Sequence, residues 1–375
     1  MLLDATSDQN FFRSTTAQYL TTHVPVTVIR ALREHPDGYD EDYWRRGADL
    51  GWTSLLAEDD GQGVSGRPLV DLTLLAYEFG RHSAPGPLVP VNVVAAALHE
   101  TASHPDVLEE LRSGSAIATW CYAEPPPHHT LGAHGLRIRV DGSDLVIDGV
   151  KRPVESAQSA QYFLVSGQSE DGLTQVLVPA HTPGISVTPL RSIDLVRRFG
   201  TVVFDNVRVP GGAAVGELGG AAERIERQLQ VALVVQCAEA VGAMQVGFDM
   251  TVGWAADRYA FGRPLNSYQA LKHRFADMTS WLEASHAIAD TAAAAVADRR
   301  PDADSLASAA QAYIGQHSVE LLQDCVQLHG GIGLTFEHDL HLFLRRATMN
   351  RMLHGTPSEH RRRIANRVVE ERISA

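Results

Sequence analysis

The sequence predicts an α+β chain in which helices, a β domain and a second set of helices follow one another. Two changes in the spacing of apolar residues predict this order. Apolar residues recur at helical steps up to about residue 117, alternate with polar residues from about 118 to 212, and return to helical spacing beyond. We place the domain boundaries at 1–117, 118–222 and 223–375.

The first region is predicted to be helical with loops. The segments DEDYWRRGADLGW and DLTLLAYEFGRH have apolar residues at three- and four-residue steps, and sustained alternation is absent. Gly61, Gly63, Pro85 and Pro87 indicate the loops between the helices.

The middle region has the pattern of β-strands. Leu136, Ile138 and Val140 alternate with polar neighbours, and an Asp141-Gly142 turn follows them. The short runs YFLV, TQVLV and TVVFDNVRV come later in the same region. Together these features predict a β domain.

The last region returns to helical spacing. Val234 and Val241 share one helical face, and further apolar stripes lie within 271–282 and 306–314. The segment PDADS at 301–305 supplies a helix start. Long antiparallel helices are therefore predicted.

Charge and composition argue against two classes of partner. A formal charge of −13 and a pI near 5.7 disfavour binding to nucleic acid or to an anionic membrane, because both are bound by basic patches. The start MLLDATSDQ lacks the basic-then-apolar order of a secretory signal, and Gln230, Gln236 and Glu239 interrupt the most apolar later stretch. We therefore expect no export signal, no membrane span and a cytoplasmic protein.

The cysteines and histidines do not form a metal-binding pattern. Cys121, Cys237 and Cys325 lack CxxC spacing, which favours reduced core residues over a disulfide or a zinc site. The histidine pair at 128–129 and the cluster at 338–341 lack an HExxH motif or a cysteine partner. We expect these histidines at the surface or at an interface, and no metal.

Two long motifs near the C-terminus point to a family. They read RYAFGRPLNSYQALKHRFADM at 258–278 and VQLHGGIGLTFEHDLHLFLRRA at 326–347, and they resemble the two C-terminal signatures of acyl-CoA dehydrogenases. The resemblance extends upstream to DLGWTSLLAEDDGQGVSG, to YEFGR at 77–81 and to VFDNVRVP at 203–210. It implies the acyl-CoA dehydrogenase fold, with an N-terminal helical domain, a middle β-barrel-like domain and a C-terminal four-helix bundle.

The resemblance also implies an activity and its partners. Such enzymes use FAD to oxidise the Cα–Cβ bond of an acyl-CoA thioester: a carboxylate takes the α-proton while the flavin receives the β-hydride. An electron-transfer flavoprotein or a similar acceptor is the expected electron partner. The enzymes are usually tetramers, in which one subunit holds the isoalloxazine ring against its β domain and a neighbour completes the site around the pyrophosphate and adenosine.

The adjacent glycines of VQLHGGIG have a physical reason in such a shared site. Glycine lets another group approach the main chain and leaves its N–H donors available for a phosphate or an adenine edge. A guanidinium binds phosphate oxygens, and an aromatic ring packs beside them. The alternative is that the glycines merely break a helix and the arginine pairs on a surface. By resemblance, the residues that contact the adenosine and pyrophosphate end are Arg258, Phe261, Gln269, Gln327, Gly330 and Gly331.

The flavin-ring half departs from the family pattern. Where members have T-E-P-G-A-G-S-D, this chain has YAEPPPHHT at 122–130, which keeps only the Glu124-Pro125 pair. Where members have Trp-Ile-Thr after a G-x-K turn, this chain has Pro153-Val154-Glu155, so the stacking indole and the hydroxyl are gone. A carboxylate there would also oppose the anionic reduced ring. We expect the chain to be poorly equipped to hold its own isoalloxazine.

The catalytic glutamate of the family is missing as well. Most members place it in a Y-E-G-T segment, and the matching residues here are 353–356, with His354 in the position of the glutamate. A smaller group places it on the first long C-terminal helix, where the match falls on Ala232. Glu226 or Glu239 would need a slip of about two helical turns to substitute.

His354 has two interpretations. With an unperturbed pKa of about 6.5, its imidazole would act as a general base or steer a flavin hydroperoxide, as a histidine does in monooxygenases of this fold. Alternatively, it is a remnant in a site that no longer turns over. The second interpretation is favoured, because the flavin-ring contacts that either reaction needs are missing from the same chain.

This combination of kept and lost residues leads to a hypothesis about the assembly. It is what we expect of the non-catalytic subunit in a heterotetrameric (α2β2) acyl-CoA dehydrogenase, similar to those that actinobacteria use on steroid side chains. The partner would be a homologous subunit that bears the glutamate. Two alternatives stay open: a homotetrameric flavoenzyme with divergent chemistry, as a monooxygenase or as a dehydrogenase using His354, and a structural or regulatory paralogue that binds no flavin.

Overall fold

The computed structural model of the chain describes residues 5–57, 63–127 and 130–374, with side chains up to residue 369. The first four residues, residues 58–62 and the histidine pair at 128–129 lie outside the described residues. The predictions made for the extreme N-terminus, for Gly61 and for that histidine pair therefore fall outside them too.

The order of elements confirms the predicted succession of helices, strands and helices. The helices in the described residues are α1 (Ser7–His23), α2 (Val26–Ala31), α3 (Glu41–Asp49), α4 (Pro68–His82), α5 (Leu88–Glu100), α6 (Pro105–Arg112), α7 (Ala222–Asp257), α8 (Gln269–Ala297), α9 (Ala303–His329), α10 (Leu340–Met352) and α11 (Pro357–Ser374). The strands are β1 (Ala118–Cys121), β2 (Arg137–Asp141), β3 (Asp144–Glu155), β4 (Tyr162–Ser169), β5 (Gly172–Pro179), β6 (Ile185–Leu190), β7 (Phe199–Pro210), β8 (Tyr259–Ala260) and β9 (Arg263–Pro264).

The chain divides into two compact units. The first, here called the helical unit, consists of Met1–Arg30, Thr73–Ala84 and Leu233–Ala375. The second, the sheet unit, consists of Ala31–Leu72 and Pro85–Ala232. The three domain boundaries expected from the sequence stay a prediction.

The sheet unit contains a sheet of seven strands, counted over the described residues. Their order is β1-β4-β2-β3-β7-β6, and β5 pairs with β4. The predicted Asp141-Gly142 turn joins β2 to β3, with Gly142 at φ 66°. Leu136 and Ile138 are buried as the alternation predicts, whereas Val140 is 58% exposed, because it lies at the turn end of β2. The alternating faces of the strands thus form one apolar core within the sheet.

The helical unit is organised around α9, which packs against α8, α10 and α11. The later part of α7 lies in backbone contact with α4. A Cβ added to Gly80 would stand 1.8 Å from the carbonyl oxygen of Glu239, and one added to Gly242 would stand 2.1 Å from that of Tyr77. Only glycine allows this approach, which explains the glycine of the YEFGR motif.

Helix α7 is the most apolar long helix. Within the described residues it is the one helix long and apolar enough to cross a membrane, but 83% of its most apolar window is buried inside the protein. The stripe predicted from Val234 and Val241 is buried along it. Its burial is that of a core helix.

The cysteines also match their prediction. Cys121, Cys237 and Cys325 are buried free thiols. Among the residues described, no group of three or more histidine, cysteine, aspartate or glutamate side chains is arranged to hold a metal ion.

Candidate functional site

The adjacent glycines lie at the end of α9, where the chain leaves the helix for a short 3-10 turn over Gly330–Leu334. Gly330 has φ +67°, a left-handed conformation that favours glycine. Gly331 has no such constraint, and a Cβ added to either residue would meet no described heavy atom within 4 Å. The main chain here is therefore open to a group from outside.

A stacked column connects these glycines to Arg258. The Trp254 ring stacks on His329 with centroids 5.3 Å apart, and the Arg258 guanidinium lies 5.8 Å from the Trp254 ring centroid. His329 Nδ1 donates to the Cys325 carbonyl at 2.8 Å, and burial lowers the pKa of His329. The column places the exposed Arg258 near the end of α9.

Phe261 lies at the tip of the two-residue hairpin between β8 and β9. Phe261 has φ +49° and the following glycine φ +81°, and the Phe261 side chain is 99% exposed. The Tyr268 hydroxyl donates to the Ala260 carbonyl at 2.6 Å, which ties the hairpin to the start of α8 at Gln269. Phe261 and Gln269 thus lie on one local element, and both are exposed.

This surface can contact an elongated ligand that carries both charge and an apolar ring. It offers one guanidinium, a main chain that a ligand can approach closely at Gly331, and the exposed amides of Gln269 and Gln327. The Gly330 N–H is not available to a ligand, because it donates to the Gln327 carbonyl. Exposed apolar side chains lie on the same segments, including Leu334, which is 81% exposed. We refer to Arg258, Phe261, Gln269, Gln327, Gly330 and Gly331 as the open surface.

His354 lies elsewhere, in the turn between α10 and α11. It has φ +56°, and its Nδ1 is 2.9 Å from Oε1 of Gln236 on α7. Its carbonyl accepts from Nε2 of the buried His360 at 3.0 Å. The next helix starts with a capping box, since Thr356 and Glu359 exchange side-chain and main-chain hydrogen bonds. The turn that holds His354 is firmly fixed on both sides.

Glu239 is not available as a substitute base. Its carboxylate accepts from Arg346 Nη1 at 2.6 Å and from Asn350 Nδ2 at 2.8 Å, and all three side chains are buried. Arg346 also donates to the carbonyls of Ser83 and Ala84. This is a structural ion pair in the helical unit, and a proton taken up by Glu239 would leave a buried guanidinium uncompensated.

Glu226 and Ala232 can be described within the sheet unit. Ala232 is fully buried, and Glu226 accepts from Gln230 Nε2 at 3.2 Å within the same helix. The residue predicted to match the glutamate of the smaller group is therefore an alanine in a packed environment.

In the sheet unit, Glu124 has a structural role. Lys151 Nζ donates to Glu124 Oε1 at 2.7 Å and to the Tyr122 carbonyl at 3.1 Å. Burial raises the pKa of Glu124, but Lys151 and the N–H groups of Gly135 and Leu136 outweigh it and hold this pKa below its ordinary value. Complete burial lowers the pKa of Lys151, against the attraction of Glu124. The pair ties Glu124, and through it the N–H groups of Gly135 and Leu136, to β3.

The residues that replace the flavin-ring contacts are also held internally. Arg197 Nε and Nη2 donate to the two carboxylate oxygens of Glu155 at 2.7 and 2.6 Å. The side chains of this pair are only 4% and 10% exposed. The negative charge expected to oppose a reduced flavin is thus neutralised by Arg197, so that electrostatic argument does not hold. The loss of the indole and the hydroxyl remains.

Sequence reasoning missed the role of several residues that organise the histidine turn. They are Gln236, Gln311, Glu239, Arg346 and Asn350. A signal existed, because Gln236 and Glu239 interrupt an otherwise apolar helical run. Polar residues at buried positions of a core helix need partners, so their presence indicates a hydrogen-bonded network.

Comparison with known proteins gives consistent matches. The family model described as "Acyl-CoA dehydrogenase, C-terminal domain" matches residues 222–369. A curated relative, the acyl-CoA dehydrogenase IpdE2 of Mycolicibacterium smegmatis, is 27% identical over 359 residues, which cover 95% of this chain and 97% of that protein.

Solved structures extend the similarity over almost the whole chain. A variant of the Tcur3481-Tcur3483 steroid ACAD aligns with a TM-score of 0.88 at 26% identity, covering 97% of this chain and 98% of that one. A chain of the ChsE4-ChsE5 complex from Mycobacterium tuberculosis aligns with a TM-score of 0.86 at 22% identity, covering 99% of each chain. The latter likeness concerns the fold alone.

Proposed function

The chain belongs to the acyl-CoA dehydrogenase family, and from this premise we propose that it is the non-catalytic subunit of an FAD-dependent acyl-CoA dehydrogenase. In this proposal a homologous partner subunit bears the catalytic glutamate and holds the flavin ring. This chain completes the partner's site around the adenosine and the pyrophosphate.

One observation supports the proposal above the others. Gly331 has neither a positive φ nor a described neighbour that a Cβ would meet, so nothing in the described chain requires glycine there. An external group that approaches the main chain closely does require it. A dinucleotide held mainly by another subunit is such a group.

The residues fit FAD at one end and not at the other. At the adenosine end, Arg258 would hold phosphate oxygens, Gly331 would let the cofactor approach the main chain closely, and Gln327 would contact the adenosine. Phe261 and Gln269 would pack against the partner's side of the same cofactor. At the ring end, Glu155 is bound to Arg197 and the family's indole and hydroxyl are absent.

The roles proposed for the two subunits follow from the side chains that this chain has. When bound, FAD supplies an acceptor for the hydride that leaves the β-carbon during α,β-desaturation of an acyl-CoA. This chain would bind and orient the cofactor's distal half. Its Glu239 is fixed by Arg346 and its Ala232 cannot take a proton, so the proton-accepting carboxylate is assigned to the partner.

The substrate and the electron partner are proposed by family analogy. The similarity to a steroid ACAD supports a bulky acyl-CoA thioester, such as one with a steroid side chain, as the substrate of the assembly. An electron-transfer flavoprotein or a similar carrier would reoxidise the flavin. A cytoplasmic location remains the expectation.

The test is the visible spectrum and mass of the protein purified alone and after co-expression with a homologous, glutamate-bearing subunit. We expect a colourless protein alone and a yellow mixed tetramer with about one flavin per heterodimer, as two subunits contribute to each site. Arg258→Gln or Gln327→Leu should then lower flavin content and activity.

A matched control lies in the same hairpin. Arg263 is also exposed, but its guanidinium stacks 3.8 Å from the Tyr268 ring centroid, so Arg263→Gln should leave the flavin content unchanged. A fully yellow protein purified alone, with one flavin per chain, would contradict the shared site. Equal losses from Arg258→Gln and Arg263→Gln would argue that only general surface charge matters.

A second candidate is a self-sufficient homotetrameric flavoenzyme that uses His354, as a monooxygenase or as a dehydrogenase. The hydrogen bond between His354 and Gln236 supports it, because this bond holds the imidazole in one orientation. It predicts flavin in the protein purified alone, and loss of activity but not of flavin in His354→Asn.

A further inference from the structure

We infer that Gln236 is a positioning residue that holds His354 as its Nδ1–H tautomer, which places the lone pair of the neutral ring on Nε2. The inference concerns residues of the helical unit only. It does not depend on the shared flavin site, and it stands or fails separately from it.

The orientation of the Gln236 amide follows from its other contacts. Its Nε2 lies 3.3 Å from the carbonyl oxygen of Asn350 and 3.1 Å from that of Leu353. Carbonyl oxygens only accept, so this atom must be the NH₂ donor and the other end must be the carbonyl oxygen. The amide of this buried side chain therefore has one allowed orientation.

The tautomer of His354 follows from that orientation. The atom 2.9 Å from His354 Nδ1 is Gln236 Oε1, which can only accept. Nδ1 must therefore carry the hydrogen and donate it. In a neutral imidazole with a proton on Nδ1, the lone pair is on Nε2.

A second glutamine fixes the same turn without touching the ring. Gln311 Nε2 donates to the carbonyls of Asn350 and Gly355 at 3.1 and 3.2 Å, and its Oε1 accepts from the Cys237 thiol at 3.5 Å. The two glutamines thus share the work of holding the turn. Only Gln236 also orients the imidazole, which separates positioning of the ring from support of the turn.

The chemistry available at Nε2 is a simple proton transfer. A proton taken up by the neutral ring would bind at Nε2, and His354 would become an imidazolium. Gln236 Oε1 would keep accepting from Nδ1–H and would stabilise the positive ring. His354 stands where the family has its glutamate, so a proton acceptor is kept at that position in a different residue type.

The experiment is magic-angle-spinning 15N NMR on the full-length protein, in the assembly in which it purifies, with labelled histidine ring nitrogens. The His354 signals are identified by their loss in His354→Asn. We expect a protonated Nδ1 and an unprotonated Nε2 in the wild-type protein at neutral pH. In Gln236→Leu we expect a mixture of tautomers.

Gln311→Leu is the matched control, because it removes bonds to the same turn and leaves Gln236 in place. It should keep the wild-type tautomer. A wild-type His354 protonated on Nε2 alone would overturn the inference before any variant is needed. The same tautomer in Gln236→Leu as in the wild type, or equal changes in both glutamine variants, would overturn it as well.

Discussion

The open surface of the helical unit differs from the Glu155–Arg197 pair of the sheet unit. The polar side chains of the open surface are exposed, whereas the polar groups of the pair bind each other. On the open surface, Arg258, Gln269 and Gln327 are exposed, and Gly331 has no described neighbour for a Cβ. In the sheet unit, the carboxylate of Glu155 has both oxygens bound by one buried arginine. The first region faces outward and the second is satisfied from within.

This difference separates a binding role from a structural one. A buried charge must have a partner, so a paired charge such as Glu155 is explained by its own chain. The exposed Gly331 and Phe261 have no such explanation within the described chain, which supports the proposed external one. The open surface carries the residues proposed to contact the adenosine end of the cofactor, whereas Arg197 neutralises the carboxylate that the resemblance places at the flavin-ring end.

The largest expected effect tests whether the Glu155 carboxylate depends on its partner Arg197 within the same chain. Arg197→Leu should leave Glu155 buried without a partner and lower the free energy of unfolding by about 3–5 kcal/mol. The double variant Glu155→Leu with Arg197→Leu should recover much of this loss. Thermal unfolding followed by circular dichroism is the measurement.

Arg208→Leu is the control for that loss. Arg208 pairs with Asp141 at 2.5 Å in the same sheet, but both side chains are about half exposed. Its removal should leave the unfolding midpoint nearly unchanged. If Arg197→Leu is equally harmless, Glu155 is free to act outward and the comparison fails.

The next effect concerns an inward-facing histidine. Burial lowers the pKa of His360 to about 4, whereas an unfolded chain protonates histidine near pH 6.5. The unfolded state therefore binds more protons between these values, so stability falls as the pH drops from about 6.5 to about 4, by up to about 3 kcal/mol.

Urea unfolding at pH 7 and at pH 4.5 measures this loss. His360→Gln should have a smaller drop between the two pH values than the wild type. His273→Gln, at an exposed position, should match the wild type. An unchanged drop in His360→Gln would show that this histidine does not couple folding to pH.

Gly331 and Gly333 of one motif allow the same comparison between an outward-facing and an inward-facing position. A Cβ on Gly333 would stand 2.6 Å from the carbonyl oxygen of Val326, so Gly333→Ala should lower the free energy of unfolding by about 1–3 kcal/mol. Gly331→Ala should change it by less than about 0.5 kcal/mol.

The relative size of the two effects should reverse when flavin content is measured instead of stability. In the co-expressed assembly, Gly331→Ala should lower the flavin content, because the added methyl group faces the space that a ligand would fill. Gly331→Ala with normal flavin and normal stability would remove the main support for the proposed function.

The smallest stability effect is expected at Phe261. A two-residue hairpin turn with both φ values positive favours Asn-Gly, and Phe261 occupies the first of these positions. Phe261→Asn should therefore leave the stability of the isolated chain equal or raise it by about 0.5 kcal/mol. The same variant should weaken association with the partner subunit, measured by mass photometry.

If Phe261→Asn lowers stability without changing association, the Phe261 side chain stabilises its own chain and does not contact a partner. The opposite result would place it with the residues that face outward.

The sequence anticipated some parts of the site and not others, for a physical reason. The exposed 330–331 glycines and Arg258 lie in two short motifs that resemble those of the family, so they could be singled out from the sequence. The fixed state of Glu239 was not found, because its partner Arg346 is 107 residues away in the chain. The charge on Glu155 was misjudged for the same reason, since Arg197 is 42 residues away.

By itself, the sequence determined the order of helices and strands, the turn at Asp141-Gly142 and the exposure of the 330–331 glycines. These depend on periodicity and on the conformational range of single residues, which act locally. Only the tertiary structure decided which carboxylates are neutralised, which nitrogen of His354 holds the proton and which glycines contact other helices. These depend on groups that are distant in the chain and meet only when the core forms, so no local pattern specifies them.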